Sequence, residues 1–295
     1  MVLEVRDLWP EMPLAMGELR NPIMRWAAEF LESWAYRRSQ GVIALSPGMK
    51  KGVVNAGYPP NKIAVIPNAC DNKLFSASAE ASANFRSSRP WLGNNPLIVY
   101  AGSFGRVNDL QYAVDLAIAF KNIKSNVRLL LVGEGSQLQQ IKSAGEEGGV
   151  LGVNLFLEDQ IPKHKIPELF AAADMVANFV IDIPEAQKNS ANKFFDALSA
   201  SKPVFLNHGG WMHDLVQKHR CGLAMWGKSV DATAEELDQI LLNQALMEQM
   251  AANARSLAEK EFDRDALALK LEQALCLVAS GKAEMLGGLT SADFN

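Results

Sequence analysis

The sequence predicts an α/β chain built as two doubly wound units, a partial one followed by a complete one. Two observations lead there. Short apolar runs alternate with amphipathic stretches along most of the chain. That alternation lapses once, over a stretch rich in Ser, Ala, Asn and Pro, and restarts with greater regularity beyond it. A length of 295 residues suits roughly two domains of about 150 each.

In the first unit, residues 2–7 form a short apolar run, 23–38 are amphipathic, and Gly41-Val42-Ile43-Ala44-Leu45 reads as a buried strand. Ser46-Pro47 then opens a helix, with Ser46 suited to cap it and Pro47 to its first turn. Residues 62–67 supply the next strand. Three such units make half of a sheet that ordinarily needs five or more strands, so residues 1–80 are expected to form a partial Rossmann-like domain.

Residues 81–95 are expected to be a linker. Beyond it, strands are predicted at 97–102, 127–133, 153–157, 175–180, 203–207 and 222–225. Helical patterns fall between them near 109–121, 136–145, 163–172, 190–200 and 212–219. Six apolar runs alternating with helices imply a parallel sheet, whose right-handed crossovers put ligands at the strand C-terminal ends. Residues 96–275 therefore read as a complete Rossmann-like domain that includes a helical tail from about 233. Residues 276–295 are expected to be a tail with a disordered end.

Composition narrows the function. A net charge of −4 with scattered basic residues gives no field to attract nucleic acid. Cys70, Cys221 and Cys276 are far apart and lack CxxC spacing, which suggests neither a metal site nor a disulfide framework and fits a reducing cytoplasm. No apolar run approaches the roughly 20 residues that span a bilayer, and no charged-then-apolar leader follows Met1.

Candidate chemistry sits at predicted strand ends. Gly102-Ser103-Phe104-Gly105-Arg106 would let backbone N–H groups approach an anion while Arg106 adds charge-assisted bonds to a diphosphate; a plain turn with a solvated arginine reads equally well. Gly133-Glu134-Gly135-Ser136 repeats the arrangement, with Ser136 a candidate helix cap or the whole a structural turn. In Ser190-Ala191-Asn192-Lys193-Phe194-Phe195-Asp196, capping by Ser190 would turn Phe194 and Phe195 to the core and put Lys193 and Asp196 together on the other side. Lys193 with the helix dipole then suits phosphate, and Asp196 suits ribose hydroxyls; a Lys–Asp surface pair is the plainer alternative. His208, in a glycine-rich loop, builds no triad or metal set. In the first unit, Arg6 and Asp7 end a strand and would face a ligand groove, or else cap a helix and pair. The next amphipathic stretch, with Trp26, Trp34, Arg20, Arg25, Arg37 and Arg38, suits either core packing or an anionic lipid surface.

Ile66-Pro67-Asn68-Ala69-Cys70-Asp71-Asn72-Lys73-Leu74-Phe75 resembles the "IPNGVDxxxF" segment that ends the N-terminal domain of family-4 retaining glycosyltransferases of GT-B fold. Val42-Ile43-Ala44-Leu45-Ser46 resembles an upstream strand and turn of that family. Leu131-Val132-Gly133-Glu134-Gly135, Phe170-Ala171-Ala172-Ala173-Asp174 and Ser201-Lys202-Pro203-Val204 match later landmarks in order. Arg6-Asp7-Leu8-Trp9-Pro10-Glu11 and Ala191-Asn192-Lys193-Phe194-Phe195-Asp196 are similar to the bacterial branch that builds surface polysaccharides. The resemblance implies a GT-B chain with its donor domain complete and its acceptor domain N-terminally truncated, in need of a second chain if split.

It also implies retaining transfer of a sugar from a nucleoside diphosphate, UDP by family weight, to a saccharide or lipid-linked acceptor, without a metal or cofactor. Arg106 and Lys193 would stabilise the leaving diphosphate; Gly102, Ser103, Gly105, Gly133, Glu134, Asn192, Lys193 and Asp196 would hold the donor; Arg6 and Asp7 would lie on the acceptor side. Two departures stand out. The family's pair of Glu separated by seven residues is Lys188 and Asp196 here, leaving Glu185 to replace the missing acid, and the arginine after "vG" is Ser103. The implied setting is cytoplasmic, with peripheral association at the inner face of the membrane. Competing readings are an inactive nucleotide-sugar-binding subunit and a sugar-nucleotide epimerase, the latter short of assignable acids and histidines.

Overall fold

The computed structural model describes residues 1–76 and 79–290. They fall into two compact units. The first unit gathers Met1–Ala69, Asp182–Ser190 and Phe262–Asn295; the second gathers Cys70–Ile181 and Ala191–Glu261.

In the first unit the order is β1 (Val2–Val5), α1 (Glu11–Ala15), α2 (Pro22–Arg38), β2 (Gly41–Ala44), α3 (Pro47–Asn55) and β3 (Ile63–Val65). The strands form a parallel sheet in the order β1-β2-β3. All four residues of β2 are buried, as a central strand with no polar residue requires. Val42, Ala44, Leu45, Met49, Val53 and Ile63 pack into one cluster beside it. Ser46 does cap α3, its Oγ accepting from Met49 N at 3.0 Å, and Pro47 occupies the first turn.

The second unit runs α4 (Ala79–Ser87), β4 (Leu97–Ala101), α5 (Leu110–Asn122), β5 (Arg128–Val132), α6 (Leu138–Glu147), β6 (Leu155–Glu158), α7 (Ile166–Ala172), β7 (Met175–Asn178), α8 (Asn192–Ser199), β8 (Val204–Leu206), α9 (Trp211–His219), β9 (Gly222–Ala224), α10 (Val230–Leu241) and α11 (Gln244–Glu261). Its six parallel strands lie in the order β6-β5-β4-β7-β8-β9. Strand succession moves outward from β4 to β6, then returns to place β7 on the other side of β4. That reversal puts the topological switch point between β4 and β7, and open α/β sheets bind ligands at the strand ends around such a point. Tyr100, Phe104, Phe179 and Phe205 fill the core beneath it.

Three boundary expectations are corrected. The 81–95 stretch is no linker: it continues α4, and Arg86 bonds Ala172 O at 2.8 Å and Asp174 Oδ2 at 2.9 Å. Arg89 adds a two-pronged pair to Glu158 at 2.7 Å, and Trp91 stacks on Phe156. The C-terminal domain does not run from 96 to 275, because α12 (Arg264–Ala279) belongs to the first unit, as does the short segment Asp182–Ser190. Nor is the 276–295 tail loose as far as it is described. A 3-10 turn over Ala283–Leu289 buries Leu286, and Thr290 Oγ1 accepts from Val65 N at 3.1 Å. Of the last dozen residues, expected to be disordered, those up to 290 belong to this ordered turn and its end, and 291–295 lie outside the described residues.

Two expected caps are also absent. Helix α8 begins at Asn192 behind Ala191, with no side-chain cap, so Ser190 does not cap it. Ser136 lies ahead of Gln137, which precedes α6 without a side-chain bond.

Candidate functional site

A cleft of about 520 Å³ opens at the strand ends of the second unit. The ends of β4 and β5 supply Gly102, Ser103 and Gly133; the segment after β6 supplies Gln160, Ile161 and Lys163; α8 supplies Asn192, Lys193 and Asp196. The alternation of apolar runs and helices thus collects polar groups from four distant stretches at one rim.

The two glycine-rich turns pack on each other. Gly102 N donates to Val132 O at 3.0 Å, Phe104 N to Glu134 O at 2.7 Å, and Gly133 N to Glu158 O at 3.0 Å. A Cβ on Gly133 would stand 1.9 Å from Gly102 O. This glycine serves the close approach of two backbones at the cleft floor, the structural reading of the turn, while also lining the cleft.

Lys193 is the second residue of α8. Its ammonium donates to Tyr100 Oη at 3.2 Å and Asn108 Oδ1 at 3.3 Å and lies 4.4 Å from the centre of the Tyr100 ring. Both hydrogen-bond partners are neutral, since burial raises the Tyr100 phenol. Desolvation pushes Lys193 down to about 8. The ammonium therefore sits in a poorly solvated wall beside an uncapped helix N-terminus, a combination suited to an anion.

Asp196 lies one turn further along the same helix. Burial raises its carboxyl, a bond from Lys163 opposes the rise, and Asp71 adds to it. Lys193 and Asp196 line one cleft, but they do not pair with each other: Asp196 pairs with Lys163.

Other expected residues fall elsewhere. Arg106 is exposed in the 3-10 turn Arg106–Asn108 and does not line the cleft; Asn108 of that turn bonds Ser103 O at 3.0 Å and accepts from Lys193 behind the cleft wall. Gly105 and Glu134 also lie off the cleft wall. Glu185, Arg6 and Asp7 belong to the first unit. Arg6 pairs with Glu4 on the surface, and burial raises the Asp7 carboxyl against the pull of Arg6. Lys188, at the position where the resemblance calls for an acid, donates to Glu11 Oε1 at 2.7 Å within the first unit. Sequence reasoning missed Lys163, Asn108 and Tyr100, which no motif distinguishes from other loop and strand residues.

The sequence profile described as "Glycosyl transferases group 1" matches residues 82–257, well over half of the chain. The chain belongs to the group 1 glycosyl transferases. A "Glycosyl transferase 4-like domain" matches residues 1–69. This glycosyl transferase is 25% identical over 221 residues to the GDP-mannose-dependent alpha-(1-6)-phosphatidylinositol monomannoside mannosyltransferase of Mycobacterium tuberculosis, covering 72% of the chain and 55% of that relative. It is also 25% identical over 191 residues to the 2-deoxystreptamine glucosyltransferase of Streptomyces kanamyceticus, covering 64% of the chain and 48% of the relative. The chain thus spans about half the length of the curated relatives it matches. Among solved structures, Anabaena HepE in complex with UDP and glucose superposes with a TM-score of 0.77 at 20% identity, over 93% of this chain and 71% of that one. At that identity the likeness fixes the fold, and it agrees with the predicted GT-B architecture.

Proposed function

We propose that this glycosyl transferase moves a sugar from a nucleoside diphosphate to a saccharide or lipid-linked acceptor, with retention at the anomeric carbon and without a metal. The observation that carries the donor site is the desolvated Lys193 ammonium, held by neutral partners at the uncapped start of α8. When the glycosidic C–O bond breaks, negative charge grows on the diphosphate oxygen. A fixed ammonium and a helix N-terminus stabilise that charge more than they stabilise the ground state. Arg106 is exposed and off the cleft wall, so we give the phosphate role to Lys193. Asp196 accepts from the ribose hydroxyls, which leaves Arg6 and Asp7 to the acceptor side.

UDP is the first donor to test, because the HepE neighbour was solved with UDP. GDP is the second, because the mycobacterial relative is named for GDP-mannose. With UDP-glucose and GDP-mannose as donors, NMR of the first-formed product should show the α anomer from one of them. A β product contradicts retention; tight diphosphate binding without turnover contradicts catalysis by this chain. Asp196→Asn should weaken UDP about tenfold in calorimetry, the scale of a charged hydrogen-bond acceptor, and leave pyrophosphate unaffected. Equal loss for both ligands would remove Asp196 from the ribose.

Peripheral association with an anionic membrane, at the cytoplasmic side, is the companion reading. Among the described residues no helix is long and apolar enough to cross a membrane. On α2, however, Trp26, Phe30 and Trp34 are 65%, 52% and 46% exposed, and Arg37 and Arg38 end the helix. Aromatic rings beside arginines suit an anionic headgroup layer. The protein should co-sediment with phosphatidylglycerol vesicles and not with phosphatidylcholine, and Trp26→Ser with Trp34→Ser should abolish it. Self-association in place of vesicle binding would assign the face to a second chain.

A further inference from the structure

One charged contact in the cleft has no part in holding the donor as described above. Lys163 opens the 3-10 turn Lys163–Lys165, which follows β6, and its ammonium bonds Asp196 Oδ2. The two partners are unequal: the Asp196 side chain is 14% exposed, that of Lys163 58%. The ammonium also lies 5.2 Å from the centre of the Phe75 ring, within cation–π range. Both residues line the same cleft. Asp196 cannot offer both oxygens to a diol while Lys163 holds one of them.

We propose that the Lys163–Asp196 pair is a latch over the ribose end of the cleft, which the ribose of an incoming nucleotide must displace. The proposal rests on the donor-site reading above.

The inequality in exposure decides how the latch works. A largely buried carboxylate left bare is costly, so in the empty cleft Asp196 keeps Lys163. Lys163 loses little on leaving, because more than half of its side chain is already in water and its pairing is worth little there. A ribose diol replaces the ammonium with two hydrogen bonds to the carboxylate. The exchange is close to balanced, and the closed fraction subtracts from the affinity of every ligand that must open it. A ligand without a diol gains nothing at Asp196 and leaves the latch shut.

Lys163→Met tests this while keeping the aliphatic stem near Phe75. Calorimetry with uridine, UDP and pyrophosphate should show the first two binding roughly three- to tenfold tighter than to the wild type, and pyrophosphate unchanged. Lys163→Arg, which preserves the ion pair, should restore wild-type affinities, and matched thermal unfolding of the variants guards against misfolding. Weaker UDP and pyrophosphate binding in Lys163→Met would make Lys163 a phosphate ligand and overturn the latch. Unchanged uridine affinity would overturn it as well. A wild-type chain that binds UDP while either result holds loses the latch alone; a wild-type chain that binds no nucleotide loses the donor-site reading and the latch together.

Discussion

Replacing Lys193 with methionine is expected to raise the stability of the fold and to remove most of its affinity for a nucleoside diphosphate. Methionine keeps the stem beside Gly102 and discards the charge. The lysine's value of about 8 in the folded chain, against 10.5 unperturbed, means that folding disfavours its protonated form. A shift of that size corresponds to ~3 kcal/mol, at 1.36 kcal/mol per unit. The sign follows from proton linkage. Between pH 8 and 10.5 the unfolded chain holds the proton more tightly, so stability rises with pH across that window, and below 8 the penalty is present in full. Lys193→Met should therefore be more stable than wild type at neutral pH, by up to that amount, and should lose its advantage above the window.

Binding should move the other way. A charge-assisted bond to a phosphate is worth about 1.5–3 kcal/mol, so UDP should bind roughly 10- to 100-fold more weakly to the variant. Wild-type affinity should hold steady below the folded value of about 8 and decline above it, until the pH passes the higher value that a bound diphosphate imposes on the ammonium. The variant should lack this decline. Thermal unfolding and calorimetric titration, each across pH, check both halves. A variant less stable than wild type at neutral pH would show that the ammonium is well accommodated rather than poised for a ligand.

Gly133→Ala should be among the most damaging small substitutions in the second unit. Its Cβ would lie 1.9 Å from Gly102 O and 2.9 Å from the Phe104 ring, and its φ of 155° is one that L side chains rarely adopt. The nearer atom is backbone, and both strands are held by ladder bonds, so neither can withdraw without losing hydrogen bonds at the cleft floor. Overpacking and backbone strain at about 1–3 kcal/mol each suggest a loss of ~4 kcal/mol, or about 10 °C in unfolding midpoint for a unit of this size. Gly152→Ala is the control, since its φ of 73° is similarly restrictive but its Cβ would meet nothing within 4 Å. It should cost only the strain. Equal losses at the two sites would mean that the contact between the turns matters little.

The alternation of apolar runs made the sheets legible because a buried parallel strand has almost no polar residue to confuse its reading. Gly41-Val42-Ile43-Ala44 and Leu97-Ile98-Val99-Tyr100-Ala101 are such strands. Helix α4 was hidden by its Ser, Ala and Asn content, which also marks linkers; what orders it is a pair of arginines, Arg86 and Arg89, bonded to residues about 70 to 90 positions away. The return of α12 to the first unit is likewise a tertiary fact that no local period encodes. At the site, Lys193 and Asp196 were readable because their spacing on a helix fixes a shared side. Motif reasoning singled out Arg106, which lies exposed off the cleft wall, whereas Asn108, two residues on in the same turn, accepts a hydrogen bond from Lys193. Lys163 stands in the polar run Lys163-His164-Lys165, where sequence alone offers no reason to choose one cation over its neighbours.

The most direct measurement is calorimetric titration of the chain with UDP, GDP and ADP, repeated on Lys193→Ala and Asp196→Ala. One nucleotide binding at micromolar concentration, with affinity lost in both variants, is the result this account predicts. Binding that survives both substitutions, or no binding of any of the three, would contradict it.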